Sequence, residues 1–175
     1  MRPRSNIELK ARIDSVSVVQ KLVTGMPTTR LEDEHQVDTY FHCPHGRLKL
    51  REINGNRATL ISYERPDTVT AKQSTYQLVP IDEPVLLKSA LAQTLGIRAV
   101  VDKVRQIFLF KNVRIHLDKV RGLGDFLEFE AVLDENHTAA EGQKLVRYLM
   151  EALAVTKMDL LTGSYGEMIA AKTQR

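Results

Sequence analysis

Basic side chains recur at alternate positions in several segments of the chain, with apolar residues between them. Arg47, Lys49 and Arg51 alternate with leucines, and Lys103 and Arg105 flank a valine. A period of two is typical of a β-strand, whose successive side chains point to opposite faces of the sheet. The polar faces defined in this way carry nine basic residues: Lys10, Arg12, Arg47, Lys49, Arg51, Arg65, Lys103, Arg105 and Arg114.

Acidic residues are fewer on the same faces: Glu8, Asp118, Glu128 and Glu130. One interpretation is that these faces are exposed to solvent, as the polar face of an antiparallel sheet usually is. The other is a closed barrel, with helices over the apolar face and the polar face lining a tunnel. Because like charges on one face repel and need a counter-charge, the excess of arginine and lysine favours the basic tunnel.

Such a tunnel suits a polyphosphate ligand. Arginine offers paired donors to phosphate oxygens, and Mg²⁺ prefers a few carboxylate oxygens together with phosphate and water. Glu128 and Glu130 lie two positions apart on one strand and can bind one ion from the same face, with Glu8 and Asp118 completing the set from neighbouring strands. The combination predicts metal-assisted phosphoryl or nucleotidyl transfer.

The sequence predicts about eight strands and three or four helices, and these elements position the residues named above. Alternation predicts strands at residues 6–13, 47–53, 57–64, 69–81, 97–110, 112–120 and 125–133, and one or two strands within 28–43. Helical spacing predicts helices from Asp14 to Gly25, at 83–95 and at 138–154, with one or two short helices in the tail at 158–171. The sequence therefore predicts an α+β fold in one domain over residues 1–175, built as a barrel or a strongly curved sheet.

Composition excludes several classes of protein. With 175 residues, 43% hydrophobic and 27% charged, the chain is neither disordered nor a coiled coil, and its net charge of +3 does not by itself identify a polyanionic partner. The single cysteine, Cys43, excludes an internal disulfide. The absence of a visible signal peptide, and of any apolar run near the ~20 residues of a membrane helix, leads us to expect a cytoplasmic protein without membrane attachment. The chain has 6% aromatic residues and no tryptophan, so it offers few side chains on which bases could stack, which argues against nucleic acid as a partner.

The segments described above resemble the CYTH superfamily, which groups class IV adenylyl cyclases with thiamine triphosphatases and other triphosphate tunnel metalloenzymes. Nine segments match in order, among them Arg-Ile-His-Leu-Asp and Glu-Phe-Glu, and their sequences are most similar to the cyclase-like branch. They are residues 6–10, 36–41, 46–51, 60–66, 103–105, 114–118, 122–124, 128–130 and 164–168.

The resemblance implies an antiparallel eight-stranded tunnel that holds a triphosphate with Mg²⁺ or Mn²⁺. By position, Glu8, Glu128 and Glu130 would be metal ligands, with Asp118 a further ligand or an orienting group. The phosphate-binding residues would be the nine basic residues named above. Lys10, Lys103 and His116 are the candidate catalytic residues, although a plain hydrogen bond to a phosphate or a carboxylate is the preferred interpretation for His116. Tyr165 and Glu167 would close one tunnel mouth or cap a helix.

Three functions remain open from the sequence. In a cyclase, the ribose 3′-hydroxyl of ATP attacks the α-phosphorus, which yields cyclic AMP and pyrophosphate. In a triphosphatase, water attacks the terminal phosphorus of thiamine triphosphate or tripolyphosphate. A non-catalytic binder of polyphosphate or RNA ends is the third possibility, and a homodimer is plausible for each.

One residue departs from the Glu-x-Glu-x-Lys strand motif of the family that residues 6–10 resemble. Asn6 stands where the first glutamate is expected, and a neutral amide binds a divalent ion weakly. We therefore expect Asn6 to disfavour hydrolysis and Asn6→Glu to increase it.

Overall fold

The computed structural model describes residues 4–64 and 71–173, in which eight antiparallel strands close into a barrel. In order around the barrel they are β1 (Arg4–Arg12), β6 (Lys72–Pro80), β5 (Arg57–Glu64), β4 (Arg47–Ile53), β3 (Glu34–Phe41), β7 (Ile97–Phe110), β8 (Val113–Val120) and β9 (Gly124–Leu133). Pairing of β9 with β1 closes the ring. The predicted antiparallel eight-stranded barrel is thus confirmed.

Two further strands of two residues each pair with strands of the barrel. β2 (Thr29–Arg30) pairs with β7, and β10 (Leu160–Leu161) pairs with β1 beyond the end of β6. The predicted strand region 28–43 is therefore two strands. Of the predicted strand 69–81, residues 69 and 70 lie outside the described part of the chain.

Four helices flank the barrel: α1 (Val16–Thr24), α2 (Pro84–Leu95), α3 (Ala139–Ala152) and α4 (Tyr165–Thr173), with a short 3₁₀ turn at Lys157–Asp159. The first helix begins after Ser15 rather than Asp14, and its first amide donates to Asp125 Oδ2 at 2.8 Å. Thr138 and Glu141 form the capping box that starts α3. Within residues 4–64 and 71–173, no helix is long and apolar enough to cross a membrane.

The main hydrophobic core lies outside the barrel wall. Ile7, Leu9, Ile115 and Phe129 point outward and are buried under α1 and α3. On the other side, Leu50 is buried among apolar residues of α2. Since successive side chains of a strand alternate between faces, burying these residues outside turns their polar neighbours into the barrel.

One end of the barrel, which we call the floor, is closed by α4. Tyr165 packs there with Tyr40, Val101 and Phe126. The approach is close, because a Cβ atom on Gly166 would lie 2.9 Å from the Tyr40 ring. The opposite end, which we call the mouth, carries the side chains of Arg57 and Arg114, which are 56% and 44% exposed.

Candidate functional site

The barrel interior encloses a cavity of about 550 Å³. Side chains from all eight barrel strands and from the start of α4 line it. This volume lies within the usual range for small-molecule sites, roughly 300–1,000 Å³. The alternating polar faces thus become the wall of an internal site that is closed at the floor.

Asp38 on β3 is the centre of the largest cationic group in the cavity. Its carboxylate is fully buried and accepts from Arg51 Nε at 2.7 Å and Nη2 at 2.8 Å, from Lys49 Nζ at 2.9 Å and from Lys103 Nζ at 3.0 Å. We call these four residues the Asp38 cluster. Three cations thus share one carboxylate, so the cluster keeps a positive excess.

Burial and mutual repulsion perturb these groups strongly. Desolvation opposes the charge on Asp38, but Arg51, Lys103 and Lys49 outweigh it and hold its pKa well below the usual value. Desolvation lowers the pKa of Lys103 to about 7 and that of Lys49 to about 8, helped by Arg51 and only partly offset by Asp38. Both lysines therefore change charge near neutral pH.

A second fully buried carboxylate, Asp118 on β8, holds Arg105. The guanidinium donates to Oδ1 and Oδ2 through Nε and Nη2, both at 2.7 Å, and the Tyr165 hydroxyl donates to Oδ2 at 2.7 Å. Desolvation raises the pKa of Asp118, but Arg105 outweighs it and brings the pKa to about 2. Asp118 is therefore a permanent anion that fixes Arg105 and the floor tyrosine.

Three glutamates lie on one side of the cavity, and we call Glu8, Glu128 and Glu130 the glutamate wall. Register places Glu8 opposite Glu130 and Lys10 opposite Glu128 across the β1–β9 pair. Lys10 forms an ion pair with Glu128, and its ammonium lies 3.8 Å from the centre of the Tyr165 ring. Each glutamate therefore faces the cavity from the same wall.

Neutral and basic groups surround the end of this wall that lies nearer the mouth. Asn6 Nδ2 donates to Glu130 Oε1 at 2.7 Å, while Arg114 Nη1 lies 3.4 Å from Oε2. His116 places Nδ1 3.5 Å from Glu128 Oε1 and Nε2 3.8 Å from Glu130 Oε2. Desolvation lowers the pKa of His116, so its imidazole is neutral at pH 7.

The donor chemistry of the glutamate wall suits a hard divalent cation. Across residues 4–64 and 71–173, no three His, Cys, Asp or Glu side chains form a ready-made metal cage. Mg²⁺, however, usually takes one or two carboxylates and fills its remaining positions with phosphate and water. Asn6 Oδ1 is buried and lacks a hydrogen-bond partner among the described residues, so it adds a free oxygen beside Glu130. Glu8, Glu130 and Asn6 are therefore the residues that fit such an ion.

The part of the cavity formed by β5 and β6 is apolar and aromatic. Ile61, Tyr63, Tyr76 and Leu78 line it. The sequence alone predicts no function for these strands. Their alternation was visible, but only the closed barrel shows that this face looks into the cavity.

Most of the predicted site residues that the structure describes line the cavity together. The exceptions are Arg12, Arg47 and Asp118. Arg12 is exposed and lies over the Phe126 ring, with its guanidinium donating to the Leu123 carbonyl at 3.0 Å. Arg47 lies beside a separate cavity at the floor end, where it pairs with Glu167 at 3.0 Å. The residues within the main cavity are Glu8, Lys10, Lys49, Arg51, Lys103, Arg105, Arg114, His116, Glu128 and Glu130.

These placements correct the predicted sets. Arg12 and Arg47 share the polar face of their strands but stand too close to the floor end to reach the cavity. Asp118 lies behind Arg105, which occupies both of its oxygens, so its placement favours the predicted orienting role over that of a metal ligand. Arg65, the ninth predicted phosphate-binding residue, lies outside the described residues.

The ambiguous tail residues serve both of their predicted roles. Tyr165 forms part of the cavity floor. Glu167 accepts from the Ser164 amide at 2.6 Å and so caps α4, while its other oxygen binds Arg47. Asp38 was missed, because the segment around it, Glu-His-Gln-Val-Asp-Thr, does not alternate and so gives no face assignment.

Comparisons with known proteins agree with this architecture. A sequence model of the CYTH domain matches residues 4–165. Adenylate cyclase CyaB of Aeromonas hydrophila is 24% identical over 171 residues, which cover 93% of this chain and 87% of that protein. The PH1012 protein of Pyrococcus horikoshii superposes with a TM-score of 0.85 at 24% identity, over 94% of this chain and 99% of that one. HpAC1, a Hippeastrum protein reported with a dominant triphosphatase activity, has a TM-score of 0.66 at 12% identity, over 97% and 96% of the two chains.

Proposed function

Because this chain belongs to the CYTH domain family, we propose that it is a divalent-metal-dependent enzyme acting on a nucleoside or other organic triphosphate inside the barrel. Its most direct reaction is that of a class IV adenylyl cyclase, which converts ATP to cyclic AMP and pyrophosphate. The observation that carries the proposal is the convergence of buried cations and a glutamate wall on one cavity that is closed at the floor.

The phosphate chain is assigned to the floor half of the cavity. Five cations reach this half from three different strands: Lys10 from β1, Lys49 and Arg51 from β4, and Lys103 and Arg105 from β7. A triphosphate carries several negative charges, and arginine and lysine donors in a desolvated site bind such charges strongly. We call these five cations the cradle. Because Asp38 and Asp118 already hold four of them in place, the cradle is organised before the ligand enters.

The divalent ion is assigned to the glutamate wall. Glu8 and Glu130 would hold it, with Asn6 Oδ1 beside them. When bound, such an ion neutralises phosphate charge and stabilises the charge that develops as the phosphorus–oxygen bond breaks. The cations of the Asp38 cluster lie two to four strands away around the barrel, so the triphosphate would lie between the two groups.

Proton transfer is assigned to His116. Its imidazole is neutral, it lines the cavity, and its Nδ1 is buried without a hydrogen-bond partner within the described residues. A neutral ring nitrogen can accept the proton of an attacking hydroxyl. Glu128 and Glu130 lie close enough to stabilise the imidazolium that results. Lys10 and Lys103 remain as donors to the phosphates.

The apolar wall of β5 and β6 favours an organic triphosphate over inorganic tripolyphosphate. Ile61, Tyr76 and Leu78 offer a surface on which an uncharged ring can pack. Inorganic tripolyphosphate would leave that surface uncovered. This observation supports a nucleotide, and the name of the Aeromonas relative supports ATP.

A triphosphatase is the second candidate function. It would use the same cradle, with water in place of the ribose hydroxyl, and thiamine triphosphate would also cover the apolar wall. The triphosphatase activity reported for the Hippeastrum protein of the same fold supports this alternative.

Product identification tests the proposal directly. The purified chain would be incubated with ATP, thiamine triphosphate and tripolyphosphate, each with Mg²⁺ or Mn²⁺, and the products separated by ion chromatography. We expect cyclic AMP and pyrophosphate from ATP, with a loss of roughly a hundredfold or more in Glu130→Ala, since such an ion contributes several kcal/mol.

Arg12→Ala is the matched control, because Arg12 lies outside the cavity and its loss leaves the predicted turnover unchanged. Orthophosphate with a diphosphate product would establish the triphosphatase instead. Binding of triphosphates without any product would identify a non-catalytic binder, and the absence of binding would overturn the proposal.

A further inference from the structure

Gln36 is a buried amide that faces the cavity with one unsatisfied atom. Its side chain lies on β3, is 2% exposed and lines the cavity. Nε2 donates to Glu34 Oε2, and Glu34 Oε1 accepts in turn from Arg57 Nη2 at 3.3 Å. Within the part of the chain that the structure describes, Gln36 Oε1 has no hydrogen-bond partner.

The contact with Glu34 fixes the orientation of the Gln36 amide. An ionised carboxylate only accepts hydrogen bonds, so the NH₂ group of Gln36 must point to Glu34. The carbonyl oxygen is thereby left as an acceptor without a partner. Arg57 holds Glu34 from the other side, so the orientation of Gln36 is set by a chain of contacts at the mouth.

Gln36 lies on the mouth side of the Asp38 cluster, and its cross-strand neighbour on β7 is Lys103 of that cluster. It lies one inward-facing position nearer the mouth than Asp38, whereas the glutamate wall is three strands away at β9 and four at β1. Leu31 and Ile107 contribute apolar surface at this end, and Ile61 and Leu78 face the cavity from β5 and β6. An acceptor beside this apolar surface suits the edge of a ring that carries a donor.

We propose that Gln36 Oε1 recognises a hydrogen-bond donor on the base of the substrate, and so selects a nucleoside triphosphate whose base carries an exocyclic amino group. The inference rests on the proposed function, because it assumes that the phosphates occupy the floor half. With the phosphates at the cations and the ring on the apolar wall, the amino edge of the ring reaches toward Gln36 at the mouth. A base that presents an oxo group there would place two acceptors against each other.

The test compares ATP with inosine triphosphate, which carries an oxo group in place of the amino group. Dissociation constants would be measured by calorimetry without divalent ions, so that no turnover occurs, and inorganic tripolyphosphate would serve as the probe of the cradle alone. We expect the unaltered chain to bind ATP roughly 10- to 100-fold more tightly than inosine triphosphate. In Gln36→Leu the ratio should fall below about threefold.

Gln106→Leu is the matched control. Gln106 Oε1 is also buried and unpartnered within the described residues, but it does not line the cavity, so its loss should leave the ratio unchanged. Tripolyphosphate should bind all three proteins equally. Equal binding of the two nucleotides by the unaltered chain, or a preference that persists in Gln36→Leu, would overturn the role of Gln36 and leave the proposed function intact. Failure to bind tripolyphosphate or either nucleotide, with or without Mg²⁺, would instead overturn the proposed function.

Discussion

The Asp38 cluster and the glutamate wall face each other across the cavity and balance charge in opposite ways. In the cluster, Lys49, Arg51 and Lys103 share one fully buried carboxylate. On the wall, three glutamates face Lys10 and Arg114, and one of the three, Glu130, is bound by the neutral amide of Asn6. The first group is mainly cationic and the second is mainly made of carboxylates, with Arg105 3.6 Å from Glu128.

This difference indicates what each side of the cavity lacks. A positive excess in a desolvated site is relieved by an anion, and a negative excess by a cation, because buried charges need partners. A triphosphate with a divalent ion supplies both. The cavity should therefore bind a metal–triphosphate complex more tightly than it binds the triphosphate alone or the divalent ion alone.

The strongest test of the comparison removes the single anion of the cluster. Asp38→Asn would leave three cations in close contact without their carboxylate. Breaking a buried ion pair from one side costs about 3–5 kcal/mol, and we expect the free energy of unfolding in urea to fall by this amount. Tripolyphosphate should then raise the melting temperature of Asp38→Asn more than that of the unaltered chain, because it replaces the missing negative charge.

Asp102→Asn provides the control for this change. Asp102 lies on the outer face of β7 and pairs with His35 at 2.7 Å, but both side chains are partly exposed. Exposed pairs contribute about 0–1 kcal/mol. If Asp38→Asn were no more destabilising than Asp102→Asn, the cluster would not depend on its carboxylate.

The faces of the strands could be predicted from the sequence, but their depth in the barrel could not. Alternation correctly separated Lys49 and Arg51 from the leucines beside them, because face depends only on position along one strand. It placed Arg12 and Arg47 in the same set, although both stand too close to the floor end to reach the cavity. Depth depends on the stagger between strands, which pairing alone establishes.

The groups that organise the site also escaped sequence reasoning. Asp38 belongs to a strand without alternation, and its role follows only from three cations that reach it from β4 and β7. The closure of the floor by Tyr165 depends on a tail segment that returns to the barrel from far along the chain. Such long-range contacts leave no local pattern to find.

The buried lysines make the positive excess depend on pH. With pKa values of about 7 for Lys103 and about 8 for Lys49, both are charged at pH 6 and largely neutral at pH 9. We expect the affinity for tripolyphosphate without metal to fall roughly tenfold between pH 6.5 and pH 9, as charge-assisted hydrogen bonds are lost. Calorimetry at both pH values measures the change.

Stability should respond in the opposite direction. The pKa of Lys103 is lower in the folded state than in the unfolded chain, so the unfolded state binds more protons between about pH 7 and 10.5. This contribution to stability is complete above about pH 10.5 and is lost as the pH falls through about 7. Lys103→Arg keeps its charge throughout, and should flatten both trends. A decline in affinity equal to that of the unaltered chain would show that Lys103 is not its source.

The smallest expected effect concerns the glutamate wall. Asn6→Glu would replace the amide that donates to Glu130 at 2.7 Å with a carboxylate that repels it. Without metal, we expect the free energy of unfolding to fall by about 1–3 kcal/mol, as a hydrogen bond to a charged group is lost. With Mg²⁺ or Mn²⁺ present, both carboxylates can bind the ion and no longer repel each other. Triphosphate hydrolysis, measured by phosphate release, should then rise a few-fold. Asn6→Gln, of the same length but neutral, should show no such rise. A hydrolysis rate in Asn6→Glu that stays level or drops would mean that Asn6 does not limit hydrolysis, and that the carboxylates of the wall are already sufficient for its ion.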